Sequence, residues 1–323
     1  MKAVICTKYG SPEVLKVKNI DKPTPKNNEI LIKVYASAVT TADSMMRRAD
    51  PFIARFFLGF TKPKNPITGT GVSGEVVEIG KDVTLFKVGD LVFGETGLNF
   101  GANAEYVSVL ENGVLAIKPD NISHEEACSV CDGLLTSINF LKNLANIKKG
   151  DKILINGASG SVGSAAILLA KQFGAEVTGV CSTKNIEMLK SLGADYVIDY
   201  KKENFINNNK QYDIIFDAIG KSSFSESKKS LTEAGIYMSA VLKISLLFKM
   251  LFTAKSKKKK AKFSATGALK HKELNLLLKE VKTYMENTNI KPFIDKTYKI
   301  EEIVEAHEYV DSGHKKGSVV ISF

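Results

Sequence analysis

Cysteine is scarce in this sequence, long uncharged apolar runs are missing, and residues 242–262 contain no acid at all. The four cysteines, at positions 6, 128, 131 and 181, form neither a disulfide framework nor a four-thiolate zinc site. Cys128 and Cys131 make a lone C-x-x-C without a thioredoxin-like strand before it, and read as two small apolar residues in a helix. No uncharged apolar run approaches the ~20 residues needed to span a membrane. The opening MKAVICTKYG alternates like a strand and lacks a long apolar core, so no signal peptide is expected. The expected setting is cytoplasmic and reducing.

The acid-free stretch locates the charge. Of a net +10, eight lysines lie within 242–262, so the rest of the chain carries only about +2. This is one basic segment rather than a basic protein, and no nucleic-acid partner is expected. The first half, LKISLLFKMLF, is strongly apolar. It reads either as an interfacial helix whose polybasic tail touches anionic lipid, or as a helix covering a pocket and followed by a solvated lysine loop. Apolar segments of this length inside an α/β domain usually belong to its core or pocket, so the second reading is preferred.

The stretch DKILINGASGSVG, residues 151–163, carries the most information. A short buried strand, a glycine-rich turn and an apolar helix follow one another, and a second strand, 176–181, comes at once. That context turns a glycine motif into a dinucleotide site. Gly160 lets the backbone approach a pyrophosphate, and Gly163 lets helix and strand pack closely. Ser161 and Val162 open the helix, whose first N–H groups and positive dipole end face the phosphates. Ala158 stands at the usual first glycine, so the motif is the weaker Ala-x-Gly-x-x-Gly.

The end of the second strand bears on which nucleotide. An NAD site usually has Asp or Glu about twenty residues beyond the turn. Here the place reads Cys181, Ser182, Thr183, Lys184, with no acid. Two hydroxyls and an ammonium suit a 2′-phosphate, and Tyr200 after the third strand adds another hydroxyl. Ser182 and Thr183 also serve as caps for a helix at 185–192. NADPH is favoured over NADH.

At 323 residues, two domains are the natural expectation. Residues 1–118 are mostly short strand-like runs, at 29–35, 74–79, 90–93 and 104–110. From 151 to 267 strands and helices alternate, with later strands at 213–217, 235–238 and 262–266, which predicts a doubly wound parallel sheet. Helices near 270–287 and 300–310 lead to a terminal strand, 317–323, expected to rejoin the first domain.

These runs together resemble the medium-chain dehydrogenase/reductase superfamily, in its zinc-free, quinone oxidoreductase-like branch. The resemblance runs end to end: MKAV with YGSPEVL (9–15), GTGVSGEVVEIG (69–80), FKVGDLVF (86–93), the nucleotide turn, SLGAD (191–195) and SGHKKGSVVI (312–321). It implies an α/β protein with a GroES-like barrel domain, 1–122 and 270–323, and a Rossmann domain, 123–269. Hydride chemistry with NADPH is implied, and a homodimer through the sheet edge at 262–266.

Zinc alcohol dehydrogenases of the superfamily hold catalytic zinc with three side chains. The matching positions here are Thr40, Thr70 and Asp132, two hydroxyls and one carboxylate, so no metal is expected. The alcohol proton relay is replaced by Ala42 and Met45. Thr40 and Asp132 are assigned to the substrate pocket, and Thr136 to the nicotinamide side of the cofactor. His124, His271, His307 and His314 match no family catalytic position and read as surface or structural. Without zinc a plain ketone is poorly polarised, whereas a quinone or an α,β-unsaturated carbonyl takes hydride at carbon. The alternatives are a zinc-independent alcohol or aldehyde dehydrogenase and a non-catalytic NADPH-binding adaptor.

Overall fold

A computed structural model describes every residue except Pro51, Lys257 and Asn289, and all side chains of the others except that of Ile53. The chain forms two compact units, Met1–Asp132 with Lys270–Phe323, and Gly133–Leu269.

The first unit is built on the long strand Glu29–Val39, whose apolar residues are nearly all buried. It pairs antiparallel with Gly71–Ile79, Tyr106–Leu110 and Ser318–Ser322, so the end of the chain does return to this unit, with Val319 opposite Val39. Leu91–Glu95 and Val114–Ile117 extend the sheet beyond Gly71–Ile79. The strand Ile294–Lys299, which the sequence pattern does not announce, runs parallel to the last strand. Inside, Ile30, Ile32, Val34, Val72, Val76 and Val92 form one apolar cluster. The helix His124–Cys128 belongs to this unit, which moves the first boundary from 122 to 132. Cys128 packs with Ala36, Ala38 and Val320. A side chain at Gly71 would lie 2.5 Å from the Cys128 carbonyl oxygen, so glycine lets helix and strand approach.

The second unit is a six-stranded, wholly parallel sheet in the order Tyr196–Asp199, Glu176–Cys181, Lys152–Asn156, Tyr212–Asp217, Leu231–Ser239, Lys260–Phe263. The first strand in sequence lies in the middle, and the order reverses beside it. Ligands of open α/β sheets bind at such a point, beyond the carboxyl ends of the strands. The last strand begins two residues earlier than expected and occupies the sheet edge.

The segment after Leu231–Ser239 departs from expectation. The helix Ile244–Thr253 is not core: Leu246 is its one buried residue, and Ile244, Leu247, Phe248, Leu251 and Phe252 are exposed. The buried side of the helix is too short to take up all its apolar residues, because only Leu246 and Met250 meet the apolar cluster of the sheet.

Candidate functional site

The turn between Lys152–Asn156 and the helix Ser161–Gln172 has the geometry a phosphate cradle needs. The left-handed residue is Gly157, with φ of 79°, one place before the Ala158 that stands at the usual first glycine. Gly163 is sterically required. A side chain there would lie 2.3 Å from the Gly157 carbonyl oxygen and 2.6 Å from the Ala158 Cα, both backbone atoms. Gly160 is the helix N-cap and makes no side-chain cap. A Cβ on Gly160 would find only the Gly157 carbonyl oxygen nearby, at 3.7 Å, so the space above it is open to a ligand. Ser161 is buried and Val162 half-buried at the helix start. This arrangement fits a dinucleotide pyrophosphate.

Hydrogen bonds draw the loop after the second strand to this turn. Asn185 Nδ2 donates to Ser159 Oγ at 2.9 Å, and the Tyr200 amide donates to the Cys181 carbonyl at 3.0 Å. Ser182, Thr183, Lys184 and Tyr200 therefore cluster at the carboxyl ends of neighbouring strands, with Ser182 buried and the other three exposed. The sequence reading missed two members. Asn185 is buried, and its Oδ1 has no partner. Asp199 accepts the Thr183 hydroxyl at 2.6 Å and the Lys201 amide at 3.0 Å, contacts that hold its carboxyl below the usual range. The Thr183 hydroxyl is thus committed to an acid in its own loop.

Thr136 opens the short helix Thr136–Ile138, flanked by π-helical stretches Cys131–Leu135 and Asn139–Ala145. Its neighbour Ser137 donates to the Val162 carbonyl at 2.8 Å, which fixes this helix beside the glycine turn. At the strand ends, fully buried Asp217 accepts from Asn156 Nδ2, the Ser222 hydroxyl and the Tyr237 hydroxyl.

In the first unit Thr40 caps the helix Thr41–Arg48. Its hydroxyl donates to Asp43 Oδ2 at 2.7 Å and accepts the Asp43 amide at 3.0 Å, and its own amide donates to the same carboxylate at 2.8 Å. This is a capping box, signalled in the sequence by Thr-x-x-Asp. The Thr40 hydrogen is therefore spent on Asp43. Asp43 is buried and its Oδ1 has no partner. Burial, and secondarily the charge of Asp132, pushes its carboxyl up to about 6 against the pull of the Thr40 hydrogen bonds and Lys315. Glu95 is raised to about 7 by burial and by Asp132 and Asp43, and its Oε1 is also without a partner. Lys315 Nζ stands 3.7 Å from Asp132. Asp43 also lines a pocket of about 70 Å³ with Met46, Phe57, Leu58, Leu98 and Phe100.

Comparison with known proteins gives a consistent result. Residues 26–120 match the alcohol dehydrogenase GroES-like domain family, and residues 192–321 match the zinc-binding dehydrogenase family. The chain is 34% identical to the tomato (Solanum lycopersicum) 2-methylene-furan-3-one reductase over 99% of its own length and 79% of the relative's. It is 31% identical to an Arabidopsis thaliana NADPH-dependent alkenal/one oxidoreductase, again over 99% of this chain and 79% of that one. The chain belongs to the medium-chain dehydrogenase/reductase superfamily, in its quinone oxidoreductase-like branch. The structure of a Coxiella burnetii quinone oxidoreductase superposes with a TM-score of 0.88 at 30% identity, covering 100% of this chain and 99% of that one.

The resemblance sets Thr40, Thr70 and Asp132 at the positions of zinc ligands, and the structure shows what each of them does here. The Thr40 oxygen is engaged by Asp43, the Thr70 carbonyl accepts the Thr96 amide at 2.9 Å, and Asp132 neighbours Lys315. Among the described residues no group of three or more His, Cys, Asp or Glu side chains could hold a metal. All four cysteines are free and buried, and burial raises each thiol. His307 is wholly buried, 3.4 Å from Ser44 Oγ, and burial lowers it to about 3. His124 lies 2.8 Å from Ser73 Oγ, while His271 and His314 are exposed.

Proposed function

We propose that this protein is an NADPH-dependent oxidoreductase that reduces a quinone, or a carbon–carbon double bond conjugated to a carbonyl, without zinc. The observation that carries the reading is the donor set at the three zinc positions, two hydroxyls and a carboxylate, in a chain whose relatives are named for furanone, alkenal/one and quinone reduction. NADPH supplies the hydride. Gly160 and the first turn of Ser161–Gln172 would hold the pyrophosphate. Ser182, Lys184 and Tyr200 would receive the 2′-phosphate, with Thr183 available once it leaves Asp199. Thr136 would face the nicotinamide.

In the first unit the substrate would meet the apolar wall of Phe57, Leu98 and Phe100. The Thr40 hydroxyl can accept a further hydrogen bond but cannot donate one while Asp43 holds its hydrogen. Asp132 beside Lys315 supplies a neutralised polar edge. Transfer to carbon needs positioning and exclusion of water more than polarisation. A second copy pairing along the edge strand Lys260–Phe263 would complete a homodimer.

The test is a panel of quinones, enones, alcohols and aldehydes, followed by NADPH absorbance. Quinones or enones should be reduced, and NADPH should bind more tightly than NADH. Lys184→Ala should weaken NADPH by about 1.5–3 kcal/mol, the value of a hydrogen bond to a charged group, with little effect on NADH. Equal affinities for the two cofactors would overturn the phosphate assignment. Turnover of neither acceptor class would leave a nucleotide-binding adaptor instead.

A further inference from the structure

The helix Ile244–Thr253 presents a pattern that the reductase reading does not use. Its exposed apolar residues, Ile244, Leu247, Phe248, Leu251 and Phe252, recur at i, i+3, i+4, i+7 and i+8, a single stripe along one face. Leu251 is 74% exposed and Phe252 82%, so none of the described residues covers them. The other face holds the helix in place, because Leu246 and Met250 pack into the cluster that includes Ala261 and Phe263. Here the apolar stripe points outward from a helix that is already docked.

The charge around it has one sign. Residues 242–262 contain eight lysines and no acid. Lys249, Lys255 and Lys258 are exposed and have no carboxylate partner among the described residues. The ammonium groups of Lys243, Lys259 and Lys262 turn to the carbonyls of Ser222, Lys228 and Leu144.

We propose that this stripe and its lysines form a docking surface for an anionic lipid bilayer, with the helix lying in the headgroup plane. A two-fold contact through the stripe itself would set the patch against its own copy, lysines facing lysines, whereas the edge strand Lys260–Phe263 offers a second copy a different surface. A protein partner would need a groove shaped to five protruding side chains, whereas a fluid bilayer conforms to them. Lipid tails take up the stripe and anionic headgroups take up the lysines. The sequence pattern alone favours a core or pocket helix, and the exposure reverses that preference.

The experiment is flotation of the full chain with vesicles of phosphatidylcholine alone and of phosphatidylcholine with phosphatidylserine, in low and high salt. Anionic vesicles should capture the protein at least tenfold better than neutral ones, and salt should release it. Leu251→Ser with Phe252→Ser should weaken capture at least tenfold at an unchanged melting temperature. Each of Lys255→Ser and Lys258→Ser should weaken it about fivefold. Equal partition to both vesicle types would overturn the proposal, as would capture indifferent to the Leu251 and Phe252 changes. A solution dimer that those two changes convert to monomer would overturn it too, by assigning the stripe to a second copy.

Discussion

The helices Thr41–Arg48 and Ser161–Gln172 start in opposite ways. The first is closed by its own side chains, with Thr40 and Asp43 satisfying each other's amides. The second starts at Gly160, which makes no cap. The closed start stabilises its helix at the expense of burying a carboxyl with one unpartnered oxygen. The open start has glycine in place of a capping side chain, at a cost of only about a few tenths of a kcal/mol, and keeps its N–H groups and the space above Gly160 for an anion. A helix start without a capping side chain, at the carboxyl end of a parallel strand, therefore marks a ligand site more specifically than a hydroxyl at a helix start does.

The largest test of this contrast separates the two glycines of the open start. Gly163→Ala forces a methyl against backbone atoms at 2.3 and 2.6 Å. Its expected cost is about 3 kcal/mol, the upper end of ordinary overpacking, seen in chemical denaturation and accompanied by loss of NADPH affinity. Gly160→Ala has room in the fold, so its denaturation midpoint should stay near the parent's while NADPH affinity falls. If both variants lose stability equally, the space at Gly160 is not reserved for a ligand.

A smaller effect is expected at the closed start. The folded protein binds the Asp43 proton more tightly than the unfolded chain does, since burial lifts the carboxyl from 3.8 to about 6. Stability from this group is therefore fully present below about pH 4 and is lost as pH rises through about 6. Asp43→Asn keeps an acceptor for the Thr40 amide and hydroxyl and removes the charge. It should be more stable than the parent at pH 8, by up to about 3 kcal/mol at 1.36 kcal/mol per pH unit, and lose the advantage near pH 4. A variant less stable than the parent at pH 8 would show that the ionised carboxylate is needed there.

The smallest expected change is none. Two of the side chains at the closed start and its surroundings, Thr40 and Asp132, are the ones that the resemblance sets at zinc-ligand positions, and neither is a histidine or cysteine. Metal analysis should find no stoichiometric zinc, and a strong chelator should leave turnover unaltered. One tightly held zinc per chain, with activity lost on its removal, would refute the zinc-free mechanism.

The parallel sheet is legible because its central strands, Lys152–Asn156 and Tyr212–Asp217, centre on short apolar runs, and the glycine turn because it stands between a strand and an apolar helix. The strand Ile294–Lys299 escaped notice because IDKTYK is mostly half-buried or exposed, with its register supplied by the last strand. Ser182, Thr183, Lys184 and Tyr200 could be placed from strand ends. Asp199 could not be assigned to that loop, because its contact with Thr183 depends on two neighbouring strands ending level. Glu95 looks ordinary in sequence, and only burial beside Asp132 sets it apart. The Thr-x-x-Asp pattern was visible, but whether the hydroxyl serves the helix or a ligand is decided by geometry.

The outward stripe of Ile244–Thr253 also has a colloidal consequence. In dilute buffer the surrounding lysines hold molecules apart over a Debye length of about 10 Å at 0.1 M salt, which shrinks to about 3 Å at 1 M. Concentrated salt, often added to keep a protein dispersed, would here remove the repulsion and let one exposed stripe find another. A protein of this kind is best handled in dilute salt, where its clustered charge keeps its most water-averse surface solitary.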